Sequence, residues 1–375
     1  MKNRVNGSWM LYGATGYTGT LIAEEAVRRG HRPILAGRNA EKLRVLAERL
    51  ELEWVVFSLE DAGALFKAAK SVDLMLHAAG RFAETCELMM DAYLAGKTHY
   101  LDISNEISVL QAAQARHRLA EENGVSIISG VGFGTVASSC LVRYVCEQIA
   151  EPVSLEIVMS PYVAQSSAGA AKSTLETIAH GGYVRRNGAL MGIPFGSGAK
   201  RIRIGNGERN VLPMPSGDLE AAYLATGIAD ITVYMTTPLN PMLARLVLPL
   251  AQKLLSWDAL RQQVARWIDW RPASSVAKLV DANRRSWLWV QATDRHGKEA
   301  EAWLETGEGY NFTASASIRA VEWVLCHHPV GVNVPAAAFG ADFVLQMDTV
   351  RRHDSTLEKL LADRTGPHLP NVVNV

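Results

Sequence analysis

The feature that most constrains the fold of this chain is a glycine-rich stretch that follows four apolar residues. Residues 9–12 run directly into Gly13, Gly16 and Gly19, which are spaced three apart, and residues 20–27 continue with the apolar spacing of a helix. This order predicts a buried strand, a tight turn and a helix start. The glycines then have separate tasks: one gives the turn a positive φ, one lets a pyrophosphate approach bare backbone, and one lets the helix pack on the strand.

A dinucleotide cofactor is the ligand that this arrangement predicts. The free N–H groups at the start of a helix receive a phosphate anion. The strand–turn–helix context favours this interpretation over a helix that merely begins with glycines. The predicted cofactor contacts are Gly13, Ala14, Thr15, Gly16, Tyr17, Thr18 and Gly19.

The end of the second strand, residues 32–36, predicts which nicotinamide cofactor binds. A carboxylate about 20 residues beyond the glycine turn would accept hydrogen bonds from a ribose 2′-OH. The chain has Arg38 there instead, with Lys42 one helical turn further on. Two cations hold a 2′-phosphate through charge-assisted hydrogen bonds, so we predict NADPH rather than NADH; the alternative is that Arg38 is a solvated residue at a helix start. The predicted contacts here are Gly37, Arg38, Asn39 and Lys42.

Strand and helix patterns alternate up to residue 128, which predicts the α/β class with a Rossmann-type, doubly wound parallel sheet. Ligands of such a sheet bind at the carboxyl ends of the strands. Asp102 ends the fifth strand and is predicted to face the cofactor crevice together with residues 130–134. Three small residues after the fourth strand are predicted to line the cofactor, with helix packing as the alternative: Ala78, Ala79 and Gly80.

The pattern changes from about Glu151 onward. Residues 172–180 are typical of a helix, and residues 294–297 of a hairpin turn between two strands. Other strand-like runs are residues 153–159, 202–212 and 231–235. Because these strands lack parallel crossovers, we predict a second, mixed α+β domain that contains an antiparallel sheet.

These patterns predict three segments. Residues 1–135 form the dinucleotide-binding Rossmann domain, residues 136–335 form the substrate and dimerisation domain, and residues 336–375 return to the Rossmann domain.

Charge and cysteine content exclude several classes of protein. The 38 basic and 38 acidic residues balance, so no overall field attracts nucleic acid, and a small-molecule substrate is expected. The four cysteines lack Cys-x-x-Cys spacing and no signal-peptide pattern precedes the glycine motif, which predicts a reducing, cytoplasmic location. The histidines form no metal-ligand set and no Gly-x-Ser-x-Gly motif occurs, so we predict neither a metal site nor a hydrolase.

Residues 238–257 form an apolar segment that Arg245, Pro249, Gln252 and Lys253 interrupt. The segment is too broken for a membrane-spanning helix, which needs about 20 mostly apolar residues. A surface helix that dips into lipid or lines the entrance for a hydrophobic substrate is one interpretation. Packing against the domain or against the partner of a homodimer is the interpretation that we favour over membrane contact.

Several motifs in order resemble the saccharopine dehydrogenase-like oxidoreductases, and within them the trans-acting enoyl reductase branch. The resemblance rests on residues 12–19, 36–39, 77–80, 100–103, 130–134, 217–223, 226–228 and 309–314. It implies an NADPH-dependent reductase with a mixed α/β second domain, which reduces a conjugated carbon–carbon double bond in a hydrophobic polyketide or lipid intermediate. Such an enzyme acts in trans on the product of a biosynthetic synthase.

The chain departs from the family pattern at four positions, which affects the expected substrate more than the cofactor. The family has Asn at the position of His77 and Pro at the position of Arg81, and Ala168 and Ala170 replace larger polar residues.

A hydride reductase also needs a proton source and a donor that polarises the acceptor. No suitable helix carries Tyr and Lys four residues apart. His77 at the end of a strand is our first choice for substrate contact, with a buried structural histidine as the alternative. The other catalytic candidates are Tyr162, Lys172 and Tyr223, and a packed tyrosine or a solvated lysine is the alternative for each.

Two further functions stay open. An imine reductase of the saccharopine or opine type would use the same cofactor but would need cations that clamp substrate carboxylates, for which Arg185, Arg186 and Arg201 are available. The third interpretation is a non-catalytic protein that binds NADPH or acts as a scaffold on a lipid surface.

Overall fold

The computed structural model describes residues 7–163, 175, 177–179, 181–204, 207–270 and 284–353. The chain divides into two compact units. The first takes its described residues from Met1–Arg143, Ser216–Gly227 and Gly307–Asp348, and the second from Tyr144–Pro215, Ile228–Thr306 and Thr349–Val375.

The strands of the described chain are β1 (Trp9–Tyr12), β2 (Ile34–Gly37), β3 (Trp54–Val56), β4 (Leu74–His77), β5 (His99–Asp102), β6 (Ser126–Ser129), β7 (Pro152–Ser160), β8 (Gly182–Arg186), β9 (Ala189–Ile193), β10 (Lys200–Ile204), β11 (Gly207–Pro213), β12 (Asp230–Thr236), β13 (Ser286–Asp294), β14 (Glu299–Thr306), β15 (Gly331–Asn333) and β16 (Arg351–His353). The helices are α1 (Tyr17–Arg28), α2 (Ala40–Leu50), α3 (Ala62–Ala69), α4 (Phe82–Gly96), α5 (Ile107–Ala115), α6 (His117–Asn123), α7 (Phe133–Cys146), α8 (Asp218–Thr226), α9 (Pro241–Leu255), α10 (Asp258–Trp270), α11 (Gly309–His327) and α12 (Pro335–Phe339), with a 3-10 turn at Phe343–Gln346.

The first unit is built on a parallel sheet, as the sequence predicts. The described strands run in the order β15-β6-β5-β4-β1-β2-β3, and each neighbouring pair is parallel. The central strands are apolar and fully buried, because helices cover both faces of a doubly wound sheet. Their order reverses beside β1, which places the end of β1 at the position where such sheets bind ligands.

Two later segments complete the first unit, and they are not where the predicted ranges 136–335 and 336–375 place them. Helix α8 joins it because the buried carboxylate of Asp218 accepts hydrogen bonds from Ser138 and Asn105. Helix α11 packs along α1, where Arg29 pairs with Glu322 at 2.6 Å.

The C-terminal part returns to both units rather than to one. Strand β15 extends the parallel sheet beside β6, whereas β16 pairs with β14 in the second unit. Residues 354–375 lie outside the described chain.

The second unit contains a mixed sheet that is mostly antiparallel. Its described strands follow the order β10-β11-β12-β7-β13-β14-β16, and β8 pairs with β12 and β9. Only the β7–β12 pair among these is parallel. The predicted hairpin between β13 and β14 is confirmed, and its turn is held by Asp294, which accepts hydrogen bonds from the backbone of His296 and Lys298.

Within the described residues, no helix combines the length and the hydropathy that crossing a bilayer requires. Of the predicted helix 172–180, residues 175 and 177–179 are described and are helical.

Candidate functional site

The glycine motif forms the turn from β1 into α1. Gly13 has a φ of +87°, which L side chains rarely adopt, and its N–H donates to the carbonyl of Ala36 at 2.9 Å. Gly16 is the N-cap of α1 and provides no side-chain acceptor. Because the first N–H groups of a helix lack intrahelical partners, those of the first turn of α1 are left for another acceptor.

Gly13 and Gly19 allow two stretches of backbone to approach each other closely. A Cβ on Gly13 would lie 2.6 Å from the backbone nitrogen of Ala79, and a Cβ on Gly19 would lie 2.1 Å from the carbonyl oxygen of Gly13. Gly16 has more room, since its nearest contact would be 3.3 Å away. The tasks that the sequence predicts for a turn glycine and a packing glycine therefore fall on Gly13 and Gly19.

Two cations follow β2 at the same end of the sheet. Arg38 and Lys42 are exposed, and neither side chain has an ion-pair or hydrogen-bond partner within the described chain. Asn39 caps α2 by accepting a hydrogen bond from the backbone of Lys42 at 2.9 Å. Asn39 thus fixes the start of the helix, while the two cations stay available for an anion.

The ends of β4 and β5 make different contacts. Ala78 donates its N–H to the carbonyl of Tyr12, which joins the end of β4 to the end of β1, and Gly80 is exposed. Asp102 is fully buried and accepts hydrogen bonds from Ser129 at 2.7 Å and from the backbone of Ser104 at 2.9 Å. Burial raises the pKa of Asp102 to about 6, although these hydrogen bonds lower it in part. Asp102 shapes the loops after β5 and β6 from inside the protein rather than from the open crevice.

His77 does not lie at the open crevice, which argues against its predicted contact with substrate. Its side chain is fully buried and packs against the rings of Tyr12, Phe82 and Tyr100. Its Nδ1 lies 2.8 Å from the hydroxyl of Tyr100. Burial lowers the pKa of His77 to about 3, so the ring is neutral at physiological pH. The structure favours the alternative of a structural histidine at a strand end.

Two of the remaining catalytic candidates lie in the described chain, one in each unit. Tyr223 is half-buried on α8 of the first unit. Tyr162 follows β7 in the second unit, is 8% exposed, and packs under the guanidinium of Arg284 at 4.6 Å. Lys172 lies outside the described residues.

The start of α11 adds residues that the sequence reasoning did not place at the site. The ring of Tyr310 meets the exposed ring of Tyr17 edge to face, 4.8 Å apart. Thr313 accepts a hydrogen bond from the backbone of Phe133 at 3.1 Å, which holds α11 at the turn after β6. Only the resemblance over residues 309–314 singled out this segment; nothing in its local pattern indicates where it packs.

These residues fit a dinucleotide. A helix start without a side-chain cap, a cradle that a Cβ would fill at Gly13 and Gly19, and two unpaired cations near the end of β2 together match its pyrophosphate and ribose phosphate. No group of three or more His, Cys, Asp or Glu side chains in the described chain is arranged to hold a metal ion.

Comparison with known proteins agrees with this geometry. A family model described as NAD(P)H-binding matches residues 13–134. The chain is 27% identical to the saccharopine dehydrogenase-like oxidoreductase of Mus musculus over 160 residues, which cover 37% of each protein. It is 26% identical to the trans-acting enoyl reductase of Mycobacterium ulcerans over 165 residues, 42% of this chain and 40% of that protein.

Both sequence matches span less than half of the length of these relatives. The fold likeness extends further: saccharopine dehydrogenase (L-Glu forming) of Saccharomyces cerevisiae superposes with a TM-score of 0.61 at 14% identity, over 96% of this chain and 98% of that one. The predicted resemblance is confirmed, because this chain carries an NAD(P)H-binding domain, is similar to saccharopine dehydrogenase-like oxidoreductases and trans-acting enoyl reductases, and has the fold of saccharopine dehydrogenase.

Proposed function

We propose that this protein is an NADPH-dependent reductase that acts on a conjugated carbon–carbon double bond of a hydrophobic, polyketide-like or lipid-like intermediate. The observation that carries the cofactor part is the pair of exposed, unpaired cations, Arg38 and Lys42, near the end of β2. A carboxylate at this strand end would repel a 2′-phosphate, whereas two cations attract it.

The residues of the first unit would hold the cofactor in three places. The backbone N–H groups that follow Gly16 receive the pyrophosphate, and Arg38 with Lys42 receives the 2′-phosphate. Ala79 and Gly80 carry little or no side chain, so they leave room for the nicotinamide half after β4. When bound, NADPH supplies the hydride.

The acceptor is proposed from the similarity to a protein named trans-acting enoyl reductase. Tyr162 and Tyr223 remain our candidates for the proton donor, because a phenol both donates a hydrogen bond and carries a transferable proton. The dispersed cysteines support a reducing, cytoplasmic location. The reaction would follow a synthase that releases the unsaturated intermediate.

Imine reduction is less well supported by the arginines that were available for it. Arg186 donates to the carbonyl of Arg185 at 2.7 Å and to the hydroxyl of Thr232 at 2.8 Å. Arg185 is buried and donates to the carbonyl of Gly188. Two of the three proposed clamp residues thus already bond to the protein itself, and only Arg201 is exposed.

The first test is a titration of the protein with NADPH and with NADH, followed by turnover of a panel of enones and imines. We expect Arg38→Ala to weaken NADPH binding by about tenfold or more and to leave NADH binding unchanged, because one charge-assisted hydrogen bond to the 2′-phosphate is lost. Arg44→Ala is the matched control, since Arg44 lies on α2, the helix that begins just after Arg38, but pairs with Glu41 and Glu48.

Each outcome of this test has a clear meaning. Equal losses for both nucleotides would contradict the 2′-phosphate assignment, and turnover of imines alone would replace the enoyl reductase by the imine reductase. Binding of NADPH without oxidation by any acceptor would favour the non-catalytic interpretation.

A further inference from the structure

Helix α9 of the second unit carries a continuous apolar surface that the described chain leaves uncovered. Met242, Leu246 and Leu250 are 74%, 69% and 64% exposed. We call this surface the apolar stripe; it consists of Met242, Leu243, Leu246, Val247, Leu250 and Leu254, with Trp257 in the turn that follows. At 100° per residue the helical members cover about 140° of the helix circumference, which is the width of a face that normally packs on a core.

The opposite side of α9 is firmly attached to the second unit, so the stripe is held outward. Ala244 and Leu248 are buried against Phe195 and Leu212. A Cβ on Gly196 would lie 2.5 Å from the carbonyl oxygen of Ala244, which shows how closely the helix approaches the backbone beneath it. The predicted packing of this segment against its own domain therefore applies to one side of the helix only.

The charges around the stripe indicate what covers it. Residues 238–257 contain Arg245 and Lys253 and no acidic residue. Both cations are exposed, and Arg245 also donates to the carbonyl of Ala199 at 2.6 Å. A second copy packed on the stripe about a two-fold axis would bring these cations together without a carboxylate on either helix to pair with them. An anionic lipid surface offers apolar tails to the stripe and negative headgroups to the cations.

Two further features fit a lipid surface. Trp257 is 67% exposed at the end of α9, and tryptophan is enriched at the level of lipid headgroups. A cavity of about 450 Å³ opens on one flank of the helix, lined by Ile193, Pro194, Pro249, Gln252, Lys253 and Ser256 among others. Lys253 lines this cavity and also lies within the angular range of the stripe, so a headgroup beside the cation has room.

We propose that the apolar stripe of α9 docks this protein in the plane of an anionic lipid surface. The helix lies on the surface, since it is shorter than a helix that spans a bilayer. The proposal extends beyond the reductase function and does not depend on it, because the stripe lies outside the residues that would hold the cofactor.

Flotation of the full chain with vesicles tests the proposal. We expect the protein to float with phosphatidylcholine vesicles that contain phosphatidylglycerol, and less with phosphatidylcholine alone, with the difference reduced by salt. The double substitution Leu246→Glu with Leu250→Glu should lower the bound-to-free ratio by more than about tenfold, because it removes apolar contact and adds negative charge. Lys253→Glu should lower the ratio by about fivefold or more on the anionic vesicles only.

The matched control is Leu88→Glu with Leu119→Glu, which changes two exposed leucines of the first unit. This control should float like the unsubstituted protein, and circular dichroism with urea titration should show that all variants keep the fold. Absence of flotation on anionic vesicles would overturn the proposal, as would equal flotation of the Leu246→Glu, Leu250→Glu variant. Light scattering that shows a dimer which this variant converts to a monomer, without vesicle binding, would assign the stripe to a second copy instead.

Discussion

Gly19 lies where the first helix approaches the first strand, and the structure leaves no space there for even one methyl group. The Cβ of an alanine would lie 2.1 Å from the carbonyl oxygen of Gly13, which is rigid backbone. We expect Gly19→Ala to lower the free energy of unfolding by ~3 kcal/mol and to weaken NADPH binding, because α1 must move away from the turn. Urea titration and nucleotide titration measure the two effects.

Gly63→Ala is the control for this substitution. Gly63 lies in α3, where an added Cβ would meet only Asp61 Oδ1 at an ordinary 3.4 Å. Alanine favours a helix, so this change should be neutral or slightly stabilising. If both variants lost similar amounts of stability and of NADPH affinity, the close approach at Gly19 would not be the reason why the motif requires glycine there.

His77 predicts a specific dependence of stability on pH. Because burial lowers the pKa of His77 to about 3, the unfolded chain takes up a proton at this residue below its ordinary pKa of 6.5, whereas the folded chain does not. The stability contributed by the neutral ring is therefore present above that pKa and falls as the pH drops toward 3. Between about pH 7 and about pH 5, the preference of His77 for the neutral form should lower the free energy of unfolding by about 2 kcal/mol.

Urea titrations at both pH values measure this effect. Between pH 7 and pH 5, the free energy of unfolding of His77→Asn should fall by about 2 kcal/mol less than that of the unsubstituted protein. Tyr100→Phe is the control: it removes the hydroxyl that bonds Nδ1 but keeps the histidine, so it should retain the pH dependence. Parallel pH profiles for the unsubstituted protein and His77→Asn would contradict the neutral, buried state.

At the scale of single residues, the sequence predicts the structural role of a glycine better than that of a histidine. A glycine at a tight turn has no substitute, so the spacing of Gly13, Gly16 and Gly19 carries structural meaning by itself. The local sequence around a histidine at the end of a strand does not indicate whether its ring points into the core or into the crevice. The face of β4 that holds His77 becomes the core only because Tyr12, Tyr100 and Phe82 come together from other elements.

At the scale of elements, Glu322 joins α11 to the end of α1 through an ion pair with Arg29. It accepts hydrogen bonds from Arg29 at 2.6 Å and lies 3.0 Å from the ring of His31. Burial raises the pKa of Glu322, but the bonds with His31 and Arg29 outweigh it and hold the pKa at about 2. The stability that the ionised carboxylate contributes is thus present above the ordinary carboxyl pKa and is lost as the pH falls through 2.

We expect Glu322→Gln to lower the free energy of unfolding by about 2–3 kcal/mol at neutral pH, because a partly buried ion pair loses its charge. The difference from the unsubstituted protein should shrink as the pH falls below about 4.5, in urea titrations over that range. Glu41→Gln is the control, since its partner Arg44 is exposed on α2 and exposed ion pairs contribute little. A constant difference at all pH values would show that packing, not charge, attaches the helix.

The sequence predicts long, apolar or strongly patterned elements and misses short ones. The alternation up to residue 128 is confirmed, and the helical stretch before β6 is broken near Arg116 into α5 and α6. The expected strand 202–212 is a hairpin of β10 and β11, which the glycines at 205 and 207 signal. Strand β15 has three residues and is identifiable only by its partner β6.

At the scale of the whole molecule, local patterns do not predict which segments of the chain belong to which compact unit. Whether residues 216–227 join the first or the second unit depends on the bonds of Asp218 with Asn105 and Ser138, which lie more than 70 positions away in the chain. Such long-range contacts leave no periodic signal. The predicted boundaries at 135 and 335 rest on local sequence patterns, whereas the compact units are defined by contacts between residues.

The three-segment composition of the first unit has a consequence for synthesis on the ribosome. Strand β6 is translated about 200 residues before its neighbour β15, so at elongation rates of about 5–20 residues per second its edge stays unpaired for roughly 10–40 s. During that interval α1 also lacks α11, because Glu322 has not yet been made. The nascent nucleotide-binding unit therefore presents an open sheet edge and an uncovered helix to the cell, which is the kind of surface that molecular chaperones recognise.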